Sequence, residues 1–498
     1  MFNVLDYDAV GDSKTKNTEA IHKAIAACAK AGGGTVWFPA GNYLTGAIML
    51  WSNVRLFLDA GATILGSQDP ADYPLVTARW EGEEGKTHAS LINGKGLECI
   101  TITGRGKIDG QGEPWWQMHR KGTLRYPRPR LIDLVDCQNV LLEGVTLTNS
   151  PSWTVHPVYC NNLTIRGLTI RNPADSPNTD GINPDSCCNV RISDCYVDVG
   201  DDCITIKSGK GEEARRLGRP CENITISNCT MIHGHGGVVI GSEMSGGVRN
   251  IVISNCVFDN TDRGIRIKSQ RGRGGVVEDI RVSNIVMRDV LCPFVMNLYY
   301  SCGTSPDEQF YVDENPLPVD EGTPIIRNIH FNNVTARRIR AAAGFLHGLP
   351  EMPIEGITFD NVILAASDAP DLYPGKPAMM HLLEPMTCAG FFCAHVQHVE
   401  FHNMQVETRT GPALIVEKAR DVEIDGFKMK QPHADAPVID LREVNGALIR
   451  GCSAARGTNA FLRISGAPTR GILLSGNDLG RAKESIALKE GARVEALL

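Results

Sequence analysis

A nine-residue phrase returns along most of this chain: Asn, apolar, any, apolar, any, polar or Gly, apolar, any, apolar. It stands as NVLLEGVTL from Asn139, NLTIRGLTI from Asn162, NVRISDCYV from Asn189, NITISNCTM from Asn223, NIVISNCVF from Asn250 and DIRVSNIVM from Asp279. Later copies begin at Asn328, His398 and Asp421, and one at Asn53 and a weaker one at Gly446 extend the repeat towards both ends. Each copy reads as two short alternating strands joined by a polar or Gly turn, so each has one face to bury. A unit of that size cannot bury its face alone and must stack on its neighbours. Roughly 25 residues per repeat is too few for a propeller blade or an immunoglobulin-like sandwich. The expected fold is all-β: a single-stranded right-handed parallel β-helix with an N-terminal capping helix. We expect one domain over residues 1–498, with 1–50 as the N-terminal cap region, 51–480 as the coils and 481–498 as a C-terminal tail.

The cap is read from Asn17 to Cys28, where Ala20, Ile21, Ala24, Ile25 and Cys28 form one apolar helical face before Gly32-Gly33-Gly34. Polar residues before it are expected to cap the helix, and His22 is expected at the surface. Cys195, Cys229, Cys256 and Cys452 occupy the sixth position after their repeat starts, where other copies carry Val145, Leu168 and Ile285. They read as small core hydrophobes rather than as metal ligands. Sixteen cysteines in 498 residues do not make a disulfide scaffold. A net charge of −7 argues against a nucleic-acid partner. No run approaches the ~20 apolar residues of a membrane span. Met1 to Tyr7 lack the basic and apolar regions of a secretory leader, which places the protein in the cytoplasm unless a leader has been removed. The sequence leaves the oligomeric state open.

A second block repeats below the phrase: DGINPDS from Asp180, DCITIKS from Asp202, GGVVIGS from Gly236 and RGIRIKS from Arg263. Aligning the serines puts Asp180 and Asp202 in one column, with Asp201 and His235 in the column before. Thr205 and Arg266 share a third column, and Lys207 and Lys268 a fourth. Coils stack about 4.8 Å apart, so three carboxylates should crowd together. Crowding favours one protonated acid beside an ionised partner, the pairing that general acid and base catalysis requires. Solvated turn aspartates and a calcium site are the other readings of the same cluster.

Four motifs on these coils, NTDGIN from Asn178, GDDC from Gly200, GHGG from Gly234 and RIK from Arg266, resemble those of polygalacturonases, glycoside hydrolase family 28. The opening GGGTVWFPAGNYLTG from Gly32 looks like the bacterial-type branch, and the resemblance covers roughly residues 2 to 480. It implies that Asp201 is the general acid and that Asp180 and Asp202 hold and deprotonate the attacking water, with inversion at the anomeric carbon. An inverting pair is ordinarily about 6.5–9.5 Å apart. His235 would tune the acid through a hydrogen bond. Asn178, Arg266, Lys268 and Tyr300 would bind substrate, the two cations holding its carboxylate, with Tyr299 the alternative tyrosine. Asn183 stands where fungal members commonly carry an acid. The expected partner is a galacturonate-containing oligo- or polysaccharide, with neither metal nor cofactor required.

A calcium-dependent pectate lyase or a non-catalytic carbohydrate-binding β-helix would explain the fold equally well, but would give unsaturated products or none. Trp115, Trp116, Trp153 and His156 are candidates for lining the groove, with packing as the other reading. Exo action is expected on two grounds besides the N-terminus. The stretch between the repeats at Asp279 and Asn328 is long enough to fold over one end of the groove. The insertion Gly211-Glu212-Glu213 should narrow that groove and repel a polyanion.

Overall fold

Asn is the commonest first letter of the repeat because the backbone turns left-handed there. Asn139, Asn162, Asn189, Asn223 and Asn250 have φ of 57°, 59°, 58°, 57° and 58°, a region that Asn tolerates and most side chains avoid. Their amides then hydrogen-bond along the stack: Asn162 Nδ2 donates to Asn139 Oδ1 at 2.6 Å, and Asn250 Nδ2 to Asn223 Oδ1 at 3.1 Å. The polar turn inside the phrase builds a second ladder. Asn284, Asn333, Asn361 and Asn403 each donate to the Asn of the preceding coil at 2.7–3.3 Å.

The computed structural model describes residues 1–369, 372–493 and 495. Contact density divides the chain into two compact units, Met1–Ile251 and Val252–Leu498. Each is a stack of right-handed parallel β-helix coils. In the first unit the repeat phrases form one parallel ladder, Gln138–Glu143, Asn161–Arg166, Cys188–Ser193 and Cys221–Ser227. A second ladder runs through Ile92–Lys95, Ile132–Val135 and Val155–Val158. It continues through bridges from Val158 to Asp185 and from Asp185 to Lys207. In the second unit Val276–Arg288, Ile325–Ile339, Ile354–Ala366 and Val396–Glu407 make the long ladder. Arg263–Lys268, Cys292–Asn297, Ala342–His347 and Ala389–Ala394 make the shorter one. Between the two ladders Phe294 packs on Phe331 and Phe359, with Phe391 and Phe401 continuing the aromatic core.

The capping helix is Thr18–Lys30, and the five expected residues are its buried face. Asn17 does not cap it through its side chain; it is buried and instead binds the Val10 amide and carbonyl. His22, expected at the surface, accepts from the Met49 N–H at 3.0 Å. Coil pairing starts before residue 51, with Gly34–Phe38 on Val54–Leu58 and Gly41–Thr45 on Ala62–Gly66. It runs past 480, with Glu484–Lys489 on Ala460–Ser465. Residues 494 and 496–498 of the expected tail lie outside the described residues. The four repeat cysteines are buried, and all sixteen cysteines are free thiols.

Candidate active site

The register read from the serines is the register of the first unit. Ile182 bridges Ile204, Asp185 bridges Lys207, and Thr205 pairs with Val239. The Gly181 amide donates to the Asp202 carbonyl at 3.0 Å, so Asp180 and Asp202 stand on adjacent rungs. Two glycines make this approach possible. A Cβ on Gly181 would lie 2.4 Å from the Cys203 carbonyl oxygen, and one on Gly234, at φ 71°, would lie 2.5 Å from that of Asp201. One carboxylate oxygen from each of Asp180, Asp201 and Asp202 falls within 4.8 Å of the others. His235 Nδ1 lies 3.2 Å from Asp201 Oδ1, the contact expected for a residue that tunes the acid. The 4.8 Å limit refers to the nearest oxygens, whereas the ~6.5–9.5 Å of an inverting site is measured between whole carboxyl groups.

The three acids differ in surroundings. Asp180 and Asp202 are buried, whereas the Asp201 side chain is 20% exposed and that of His235 50%. Asp180 Oδ2 accepts from Asn183 Nδ2 at 3.0 Å and from Thr205 Oγ1 at 3.3 Å. Lys207 Nζ sits 3.9 Å from Asp180 Oδ2 and 3.5 Å from Glu243 Oε2. Burial works to lower the Lys207 pKa, but Glu243, Asp180, Asp202 and Asp185 outweigh it and hold the ammonium above its usual range. That ammonium supplies the positive charge a calcium ion would bring, which weakens the calcium reading of the cluster. Arg128 has its pKa pulled down to about 10 by burial, against the attraction of Glu81, Asp180 and Asp201. It donates to Asn178 Oδ1 at 2.6 Å and to the carbonyls of Pro151 and Pro177. Asn178 is therefore braced beside the acids by an arginine that the sequence did not single out.

The hairpin of Leu75–Trp80 and Glu83–His88 packs on the coils through Arg79 against Asp185 and Trp80 against Trp153. Arg79 Nη1 bonds Asp185 Oδ1 at 2.8 Å, both nearly inaccessible, and Arg79 also donates to Tyr159 Oη. Arg130 donates to the Arg79 carbonyl and lies 3.7 Å from Asp133, which pairs with His156 Nδ1 at 2.9 Å. Burial would raise the Asp185 and Asp133 pKa values; His156 and Arg79 for the first, and Arg130 and His156 for the second, hold both low. Trp80 stacks on Trp153 with ring centroids 4.8 Å apart, and Lys207 Nζ lies 3.8 Å from the Trp153 ring centre. Trp115, Trp116, Trp153 and His156 are thus all buried packing residues rather than an exposed lining. Trp115 is wedged against Tyr73 and His88. The insertion after Asp202 forms the helix Gly211–Leu217, and Lys210 ahead of it reaches Glu83 of the hairpin at 2.9 Å.

The second unit carries the expected cations. Arg266 and Lys268 alternate on Arg263–Lys268 and are both buried. The Tyr300 ring centre lies 5.7 Å from the Arg266 guanidinium carbon and 5.3 Å from Lys268 Nζ. Tyr299 faces Arg271 instead, at 5.5 Å. Of the two candidate tyrosines, Tyr300 is the one that accompanies both cations. The stretch after Asp279 places Tyr311, Val312 and Glu314 against Phe345 and His347 of its own unit.

Asp201 with its histidine partner, Asp180 beside the buried Lys207, and Asp202 thus stand together on a parallel β-helix scaffold. Residues 28–372 match Glycosyl hydrolases family 28, and the chain belongs to that family. The match is narrower than the span expected from the motifs. A probable polygalacturonase of Vitis vinifera is 40% identical over 372 residues, covering 73% of this chain and 74% of the relative. An endo-polygalacturonase of Pectobacterium carotovorum subsp. carotovorum is 33% identical over 314 residues, covering 58% and 73%. Among solved structures, a hyperthermoactive exopolygalacturonase from Thermotoga maritima superposes with a TM-score of 0.65 at 34% identity, covering 73% of this chain and 87% of that one. No helix among the described residues is long and apolar enough to cross a membrane. The relatives lend no support to the cytoplasmic placement read from the N-terminus.

Proposed function

We propose that the protein is a polygalacturonase that hydrolyses α-1,4-galacturonosidic bonds by direct displacement, acting from a chain end. The observation that carries the reading is the Asp201–His235 contact beside the buried Asp180 and Asp202. Asp201, the exposed member, gives its proton to the glycosidic oxygen as the bond to the anomeric carbon breaks. A water held by Asp180 and Asp202 attacks the same carbon, and the pair takes the proton that water loses. Inversion fits because Asp180 is engaged by Asn183, Thr205 and Lys207 and both members are buried, so water is better placed to attack than either carboxylate. Arg266 and Lys268 hold the uronate carboxylate, a fork and a point charge suited to it, and Tyr300 and Asn178 position the sugar.

End action is supported by the hairpin. A long substrate would lie along the outer face of the stacked coils. There Asp133, His156 and Asp185 are buried beneath Arg79, Arg130 and Trp80 instead of facing solvent. The test is viscometry of polygalacturonate run alongside reducing-end release. Chain-end attack leaves viscosity nearly constant while reducing ends accumulate. A steep viscosity fall at low hydrolysis would show mid-chain cutting.

A further inference from the structure

The second unit holds a cavity that the proposed reaction does not use. Its volume is about 260 Å³, and Tyr299, Phe345, His347, Met380, Met386 and Phe392 form much of its wall. Its position follows from register. Arg266 pairs with Val295, Val295 with Phe345, and Phe345 with Phe392. Lys268 pairs with Asn297, and Asn297 with His347. Side chains alternate along a strand. Phe294 and Phe391 point into the aromatic core, so Val295, Phe345, Phe392 and His347 point the other way, on the face that carries Arg266 and Lys268. His347 is therefore two rungs, roughly 10 Å, beyond Lys268 on one continuous face.

The chemistry of the cavity differs from that of the cations. It is lined by aromatic rings and thioethers, with exposed Glu314 and Glu384 at its edge and, among the described residues, no lysine or arginine in its wall. A carboxylate therefore has no cation in that wall to pair with. His347 is only 6% exposed, and its Nδ1 has no hydrogen-bond partner. Burial, with His395 and Lys418 nearby, draws the His347 pKa down to about 3, so the ring stays neutral and offers an anion no charge.

We propose that this cavity binds an uncharged, methyl-esterified galacturonate residue of a substrate chain whose neighbouring free carboxylate rests on Arg266 and Lys268. The ester methyl packs against Met380 and Phe392, beside the His347 ring. The assignment rests on the reading of the protein as a polygalacturonase. It makes the enzyme a reader of ester pattern: one free carboxylate followed by an esterified sugar.

The test combines two measurements on the full chain. Saturation-transfer NMR follows binding of the methyl ester of methyl α-D-galacturonoside to wild type, to Asp201→Asn and to Leu383→Trp, which fills the cavity from a residue that lines it. Kinetics compare kcat/KM on partly esterified and unesterified oligogalacturonides. We expect transfer to wild type and Asp201→Asn but not to Leu383→Trp. The filled variant should lose about tenfold on the esterified substrate and much less on the unesterified one. Absence of transfer to wild type, or equal losses on both substrates, overturns the cavity assignment while galacturonan hydrolysis still stands. Binding that Leu383→Trp abolishes, in a protein that hydrolyses no galacturonan, would overturn the functional reading and leave the cavity as an ester site.

Discussion

Replacing Lys207 with Met removes a buried ammonium while keeping a chain that covers Trp153. Lys207 Nζ lies 3.9 Å from Asp180 Oδ2, and an effective dielectric of 20 makes that attraction about 4 kcal/mol. Water entry and side-chain relaxation reduce the amount lost, so roughly 1.5–2 kcal/mol reaches the water-holding pair, slightly more than one pH unit. The sign follows from linkage. The ammonium stabilises the ionised carboxylates, so its removal makes them hold protons to higher pH. Activity, which needs the pair ionised, should then fail at a higher pH as acid is added. The acidic limb of kcat/KM on oligogalacturonides should move up by about one pH unit. Leaving Asp180 and Glu243 without this counter-charge should also cost about 3–5 kcal/mol of stability, measured by denaturant unfolding. A folded variant whose acidic limb stays put, or moves down, would refute the role given to Lys207.

Asp201→Asn should lower kcat by about 10²–10⁴-fold with little change in KM or unfolding temperature; wild-type turnover would remove Asp201 as the acid. Truncating Arg266 or Lys268 should raise KM for free oligogalacturonate far more than for its methyl ester, because esterification neutralises the partner; steady-state kinetics on both substrates decide it. In the Asn ladder, Asn250→Gly should cost about 1 kcal/mol for the lost amide bond. Asn250→Ala should cost a further ~1–2 kcal/mol, because Ala resists φ of 58°. Equal losses in denaturant melts would show that backbone strain plays no part there.

The stacking was legible because strand alternation and a recurring turn leave few other folds. The Ser alignment succeeded for a related reason: parallel coils keep register, so matching letters become neighbouring rungs, as Asp185 and Lys207 do. Asp180, Asp201, Asp202 and His235 came together on that logic alone. Lys207 was visible as the column partner of Lys268, but nothing in a sequence tells a buried lysine from a surface one. Arg79, Trp80, Arg128 and Arg130 were hidden for a different reason. They reach the site from a hairpin and a loop outside the repeat, and Arg79 and Asp185 are 106 residues apart. Trp153 and His156 stay open between lining and packing in the sequence for the same cause, since the hairpin that buries them follows no period. The long stretch after Asp279 was recognised by length, while the cavity beneath it depends on side-chain packing that length cannot report.

The account's central claim is hydrolysis with inversion by Asp201 and the Asp180/Asp202 pair. Real-time proton NMR of a defined oligogalacturonide digest tests it in one experiment. Galacturonic acid should be released from the chain end, appearing first as the β anomer and only later mutarotating, with no unsaturated product at any time. A first product in the α form would make the enzyme retaining and turn one of the three carboxylates into a nucleophile, and an unsaturated uronate would contradict hydrolysis altogether.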